Sequence, residues 1–320
     1  MRLGVLDIGS NTGHLLVVDA HAGAAPLPAY SLKEPLRLAE HLDEDGAVSQ
    51  SGVDALREFT ARAVVVAEDK GCQEMLAFAT SAVRDSANTD EVLDHVHTET
   101  GVKITVLSGE DEARLTFLAV RRWFGWSSGR LAVFDIGGGS LEIAGGANEY
   151  PDVAWSLPLG AARLARNWFA TGSTDEDTLP RLRKTIRAAI AEDAGRLLRA
   201  GTLDHATATS KTFRSLARIC GAAPSDAGPL VPRILPRKEL GRRMPDLIAM
   251  STRELAALPG VSAQRSHQIV PGALVAEAVM DIFDLPALEI CPWALREGLI
   301  LDRIDAISFM DKLDQISLLR

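Results

Sequence analysis

Two short segments hold most of this chain's capacity for chemistry. Asp7-Ile8-Gly9-Ser10-Asn11-Thr12 and Asp135-Ile136-Gly137-Gly138-Gly139-Ser140 each set an aspartate two residues ahead of a glycine turn. Glycine lets backbone N–H groups converge on a phosphate because no Cβ blocks the approach. Ser10, Asn11, Thr12 and Ser140 add side-chain donors. Asp7 and Asp135 can hold a divalent cation, directly or through water. A tight β-turn, with Asp and Gly chosen for its geometry, explains either segment taken alone. Two of them shift the reading to phosphate binding. The strands ahead of the turns also repeat: Leu3-Gly4-Val5-Leu6 precedes Asp7, and Leu131-Ala132-Val133-Phe134 precedes Asp135, an offset of 128 positions. That is about one domain length, so an internal duplication with two facing loops is expected.

The elements that must position these turns are legible from periodicity. Leu3–Leu6 and Leu15–Val18 read as strands joined by the first turn, and Leu131–Phe134 with Leu141–Ala144 as a second hairpin. Ser49–Lys70 has helical spacing and ends at Gly71, Met75–Ala79 reads as a strand, Asp90–Thr100 as a helix and Lys103–Leu107 as a β-branched strand. Gly109 opens a helix over Glu110–Phe124, acidic at its start and basic at its end, as the helix dipole favours. Beyond residue 150 the pattern is mostly helical: Thr178–Arg199, Ser210–Cys220, Arg237–Leu240, Thr252–Leu258 and Gly272–Ile282. A short strand, Leu288–Cys291, and two C-terminal helices, Leu295–Leu301 and Ala306–Leu319, follow. The Pro/Arg-rich stretch Pro229–Pro245 reads as a surface loop or connector.

With 320 residues, 47% of them hydrophobic, the chain has material for two globular domains. A net charge of −9 argues against a nucleic-acid partner, which would call for a basic surface. No apolar run reaches bilayer length and Asp7 interrupts any signal-like start, so neither a membrane nor export is expected. Three scattered cysteines, Cys72, Cys220 and Cys291, fit a reducing cytoplasm.

The two glycine turns, together with Glu142 after the second, resemble the phosphate loops of the exopolyphosphatase / guanosine pentaphosphate phosphatase family. Thr80-Ser81-Ala82-Val83-Arg84 and Ser108-Gly109-Glu110-Asp111-Glu112-Ala113-Arg114 match further motifs of that family in order. Thr209-Ser210-Lys211-Thr212-Phe213-Arg214 and Leu295-Arg296-Glu297-Gly298-Leu299 carry the similarity almost to the C-terminus. The resemblance implies an α/β fold of two actin-like ATPase (ribonuclease H-like) domains, each a mixed sheet plus helices, with an interdomain cleft. The domains are expected over 1–126 and 127–299, with a C-terminal helix of about 300–320 packing back on the first. It implies hydrolysis of the terminal phosphoanhydride of inorganic polyphosphate. Glu112 would be the general base that activates water, and Glu142 would help Asp135 position Mg²⁺, or another divalent cation, or the water. Gly9, Ser10, Asn11, Thr12, Gly137, Gly138, Gly139 and Ser140 would hold phosphate, and Asp7, Asp135 and Glu142 metal. Asp111, Leu141 and Gly13 depart from the residues usual at their positions. A homodimer also follows from the resemblance; the compact length suggests a two-domain member without the extra C-terminal domains of longer relatives, expected from its reduced binding surface to prefer short chains.

On helix statistics alone Glu112 is an ordinary carboxylate of a first helical turn. Arg84 is a phosphate clamp or the partner of Asp85 or Asp90. His14 is a phosphate donor or a structural histidine, and Lys211 and Arg214 stand where the fold approaches a nucleotide or phosphate tail. Arg181, Arg183, Lys184, Arg187, Arg196 and Arg199 read as a solvated helix face. Arg233, Arg237, Lys238, Arg242 and Arg243, with only Glu239 among them, are the better electrostatic track for a long polyanion. Phosphoryl transfer needs no covalent nucleophile. The alternatives are guanosine pentaphosphate as substrate, a kinase of the same fold that binds nucleotide, and a non-catalytic sensor of polyphosphate or nucleotides.

Overall fold

The computed structural model describes residues 1–169 and 177–317. The chain divides into two compact units, Met1–Leu115 with Leu295–Arg320, and Thr116–Ala294. Unit 1 starts with β1 (Arg2–Ile8), β2 (Thr12–Asp19), β3 (Pro28–Pro35), α1 (Gln50–Asp69) and β4 (Glu74–Ala79). Then come α2 (Ser81–Arg84), α3 (Thr89–Thr100), β5 (Thr105–Val106) and α4 (Gly109–Phe124), which runs on past the unit boundary. Unit 2 holds β6 (Leu131–Ile136), β7 (Leu141–Gly146), β8 (Val153–Leu157), α5 (Ala161–Phe169), α6 (Thr178–Arg199), β9 (His205–Thr209) and α7 (Ser210–Ile219). It continues through β10 (Ile234–Pro236), α8 (Arg237–Ala249), α9 (Thr252–Ala256), α10 (Ile269–Ile282) and β11 (Ala287–Ile290). Helix α11 (Leu295–Ser317) returns to unit 1.

The duplication seen in the two turns extends to both sheets. Unit 1 has the order β3-β2-β1-β4-β5, and unit 2 the order β10-β11-β9-β6-β7-β8. In each, the first three strands form an antiparallel meander, and two further strands pair in parallel on the other side of the first. Unit 2 adds β10 antiparallel at its edge. Each aspartate is the last residue but one of the first strand of its sheet.

Strand alternation decides which way the unit 1 residues face. Leu6 and Ile8, with Leu15 and Val17, pack into a core with Leu56 and Phe59 of α1 and Val92 and Val96 of α3. Leu3 and Val5, with Val18 and Phe78, pack against Ile300 and Ile304 of α11. Asp7 continues the Leu3–Val5 series, so the apolar face under α11 ends in a carboxylate. In unit 2, Phe134, Ile136 and Ile143 share one core with α6, α7 and α10.

Several expectations need correcting. The Pro229–Pro245 stretch is not a loop throughout: it forms β10 and the start of α8, with Pro245 inside the helix. Pro245 has no N–H for the carbonyl of Gly241, four residues back, and Gly241 is solvent-exposed, which makes that loss cheap. The two C-terminal helices are one, α11, because Ile300 and Ile304 continue a single inward stripe through the Asp302–Asp305 segment; Leu318 and Leu319 lie outside the described residues. Strands β3 and β8 were not foreseen. β3 is almost wholly exposed and lacks apolar alternation; it is held by backbone pairing to β2.

Gly298 marks the tightest packing in unit 1. A Cβ there would overlap the backbone of Leu115, so the first turn of α11 lies directly on α4. A Cβ on Gly241 would meet nothing within 4 Å. Gly298→Ala is therefore expected to cost about 1–3 kcal/mol by overpacking, whereas Gly241→Ala should gain up to about 1 kcal/mol from helix propensity. Urea unfolding of the two variants checks this; equal midpoints would contradict the assigned α4–α11 contact.

Candidate functional site

The two turns are closed alike. Gly9 N donates to Thr12 O at 3.1 Å, and Gly137 N donates to Ser140 O at 2.9 Å. Their carbonyls are tied back to the following segments. Ser10 O accepts from Ala39 N, and Asn11 O from Leu36 N and Arg37 N; Gly137 O accepts from Ala161 N, and Gly138 O from Ala162 N and Arg163 N. In a trans peptide the N–H of the next residue points opposite to the C=O. The amides of Asn11 and Thr12, and of Gly138 and Gly139, are thereby turned the other way, as a phosphate cradle needs. Gly160, just before α5, lies so close that a Cβ would overlap the backbone of Gly138, Gly139 and Ser140. Gly13 likewise leaves room for the Phe59 ring. The Ser10 and Ser140 side chains are buried.

Each turn has a carboxylate with one oxygen held and the other directed inward. Asp7 Oδ2 lies 3.5 Å from Arg296 Nε, and Oδ1 is 3.9 Å from where a Cβ on Gly9 would stand. Burial pushes the Asp7 carboxyl up to about 6, against the pull of Arg296 and Lys33, with Glu297 adding to the rise. Glu142 is buried; its Oε1 accepts from Ser156 Oγ at 2.8 Å, and its Oε2 is 3.8 Å from the Cβ position of Gly137. Asp135 pairs in register with Glu142 on one side and Thr209 on the other. The next residue, Ser210, takes a left-handed φ of 97°, a strained backbone for a serine.

His14 occupies in unit 1 the register position of Glu142, opposite Asp7. Arg296 Nη1 contacts its Nδ1, and its Nε2 is 2.7 Å from Ser31 Oγ. A guanidinium only donates, so Nδ1 accepts and Nε2 carries the proton given to Ser31.

Glu112 sits in the first turn of α4. Ser108 Oγ accepts from Asp111 N at 3.1 Å and donates to Asp111 Oδ2 at 2.6 Å, so Asp111 secures the helix start. Glu112 is 6% exposed and paired with Arg84 Nη1, which also donates to Leu107 O at 3.0 Å; Arg84 Nε donates to Asp85 at 3.1 Å. Burial opposes the Arg84 charge, but the Glu112 and Asp85 carboxylates outweigh it and its pKa is raised. Arg84 lies one helical turn from Ser81, whose Oγ is 3.2 Å from Ser10 Oγ. Helix α2 thus carries both the serine that meets the first turn and the arginine that pairs with Glu112.

Three of the five basic residues of the expected electrostatic track have partners within unit 2. Arg233 donates to the carbonyls of Ala223, Pro224, Gly228 and Val231, Arg237 pairs with Asp284 at 3.1 Å, and Arg242 pairs with Glu239. On α6, Arg183 pairs with Glu277 and Arg187 with Asp281. Arg214 donates Nε to Ser210 O, and Lys211 stands beside it at the start of α7. Sequence reasoning did not single out Arg296, Ser156, Gly160 or Gly298 as parts of the site; only the Arg296–Gly298 motif carried a signal.

Among the described residues no group of three His, Cys, Asp or Glu side chains is arranged to hold a metal. In each unit by itself, the carboxylate oxygen near the turn, of Asp7 in one and of Glu142 in the other, is a hard donor of the kind a divalent cation takes. Nor is any described helix long and apolar enough to cross a membrane.

The sequence profile of the Ppx/GppA phosphatase family matches residues 16–306. Exopolyphosphatase 1 of Mycobacterium tuberculosis is 54% identical over 306 residues, covering 96% of this chain and 89% of that protein. A guanosine-5'-triphosphate,3'-diphosphate pyrophosphatase of Vibrio parahaemolyticus is 27% identical, over 94% of this chain and 59% of that protein. The crystal structure of an exopolyphosphatase from Cytophaga hutchinsonii has a TM-score of 0.84 at 23% identity, covering 96% of this chain and 98% of that one. Each unit is an α/β fold, an antiparallel meander followed by parallel strands.

The Arg84–Glu112 pair can be probed by a double-mutant cycle. Removing either partner from a largely buried pair should cost about 3–5 kcal/mol. The double variant Arg84→Met/Glu112→Gln should cost clearly less than the sum of the two. Strict additivity in denaturant unfolding would show that the two side chains do not interact.

Proposed function

The chain belongs to the Ppx/GppA phosphatase family, and on that premise we propose that it is an exopolyphosphatase. It hydrolyses the terminal phosphoanhydride of inorganic polyphosphate and releases orthophosphate. The observation that carries this reading is the duplicated turn, closed by the same hydrogen bond in both units and equipped in both with an inward carboxylate oxygen. The 54% identity to an exopolyphosphatase supports the choice of substrate.

In this reading the turns that Gly9 and Gly137 close bind phosphate oxygens through the amides of Asn11, Thr12, Gly138 and Gly139 and the hydroxyls of Ser10, Thr12 and Ser140. Glu112 takes a proton from water as the water oxygen bonds to the terminal phosphorus. The bridging P–O bond breaks, leaving a chain one phosphate shorter. Arg84 fixes Glu112 and supplies charge for a phosphate oxygen. Asp7, Asp135 and Glu142 would hold Mg²⁺ or a similar divalent cation, which when bound neutralises phosphate charge. Such transfers depend mainly on positioning and electrostatics. Short chains are the preferred substrate, since the arginines best placed in sequence to extend a track are engaged by acids and carbonyls. The reading also makes the protein a cytoplasmic homodimer, supported by its thiol-only cysteines and the exposed Phe309 on α11. Similarity to the Vibrio enzyme favours a second reading, guanosine pentaphosphate as substrate.

Orthophosphate release from defined short polyphosphate, long polyphosphate and guanosine pentaphosphate is the test. Short polyphosphate should be turned over fastest, chelation should abolish turnover, and Glu112→Gln should lower it by roughly 10²–10⁴-fold with substrate still bound. Release from the guanosine substrate alone would move the second reading ahead. Undiminished turnover by Glu112→Gln would remove Glu112 from the mechanism.

A further inference from the structure

Arg296 approaches the first turn from the far end of the chain, 282 positions beyond His14. Its guanidinium spans two adjacent strands, with Nε at Asp7 on β1 and Nη1 at His14 on β2, which face each other in the ladder. Both side chains of the Arg296–Asp7 pair keep about a fifth of their surface exposed. The helix that delivers Arg296 is fixed in three ways: Gly298 lies on the Leu115 backbone, Ile300 and Ile304 are buried on the β1 face, and Arg303 pairs with Glu74 at 2.8 Å. In the second turn Glu142 Oε1 accepts from Ser156 Oγ, and Oε2 lies 3.8 Å from the Cβ position of Gly137.

We propose that Arg296 is a positioning residue for the first glycine turn: it holds Asp7 by Oδ2 so that Oδ1 faces the turn, and braces that hold on His14. The inference rests on the phosphohydrolase reading, in which Asp7 faces a cation and phosphate. Arg296 is also a counter-charge against Asp7, so its two effects separate on substitution. Loss of the hold lowers turnover, while loss of the positive charge strengthens the attraction of Asp7 for a cation. A lysine restores the charge but not the fork, because an ammonium lacks the planar pair of donors that reaches both partners.

The experiment measures Mn²⁺ affinity by electron paramagnetic resonance, thermal midpoint, and steady-state phosphate release from short polyphosphate, for wild type, Arg296→Met, Arg296→Lys and Asp7→Asn. Arg296→Met should bind Mn²⁺ more tightly, on the order of tenfold, with kcat reduced by about 10–100-fold and KM changed far less. Arg296→Lys should return Mn²⁺ affinity to the wild-type value and leave kcat low, and Asp7→Asn should weaken Mn²⁺ binding. The inference is overturned if Arg296→Met keeps wild-type kcat, or if its Mn²⁺ affinity and thermal midpoint fall together with turnover. It is equally overturned if Asp7→Asn leaves Mn²⁺ affinity unchanged. Wild type that releases no phosphate defeats the functional reading instead, and the Mn²⁺ series still decides the role of Arg296.

Discussion

A single peptide hydrogen bond, from the first glycine of each turn to the residue three places on, sets the terms for both units. Closing Gly9 on Thr12 and Gly137 on Ser140 fixes where the chain reverses. The amides can face a ligand only if the carbonyls behind them find partners elsewhere, because buried backbone groups cannot stay unpaired cheaply. The segment after β3 and the start of α5 meet that need, and Gly160 has no side chain because the second turn occupies the space. The sheets then serve to hold these reversals at the ends of β1 and β6, where Asp7 and Asp135 stand.

Charge is handled by proximity instead of by abundance. A chain with a net charge of −9 must bring positive groups close to any polyanion it binds. Arg84 and Arg296 are both largely buried beside the carboxylates they serve, where solvent screens them little. The arginines of α6 and Arg233 ahead of β10 are used differently, the former as struts between helices and the latter as a donor to loop carbonyls.

The sequence made the local part of this visible. Two aspartate–glycine reversals at a fixed offset announced the duplication, and the helix after Gly109 placed Glu112 in its first turn, since both signals lie within a few residues. The pairing of Glu112 with Arg84 spans 28 positions, and that of Arg296 with His14 spans 282; no periodicity reports such contacts. β3 escaped notice because an edge strand held by pairing needs no apolar alternation. The Pro/Arg-rich stretch misled because proline penalises a helix interior, yet Pro245 is tolerated where the orphaned carbonyl belongs to an exposed glycine.

That α11 completes the first unit bears on how the protein is made. Residues 116–294 are one uninterrupted stretch and form a whole unit, so they can fold as soon as they leave the ribosome. The N-terminal sheet, though synthesised first, has Leu3, Val5, Val18 and Phe78 without their cover until Ile300 and Ile304 emerge. Biosynthesis therefore runs against assembly order: the first sheet to be translated is the last to be sealed, and it must wait through more than half the chain with an apolar face uncovered.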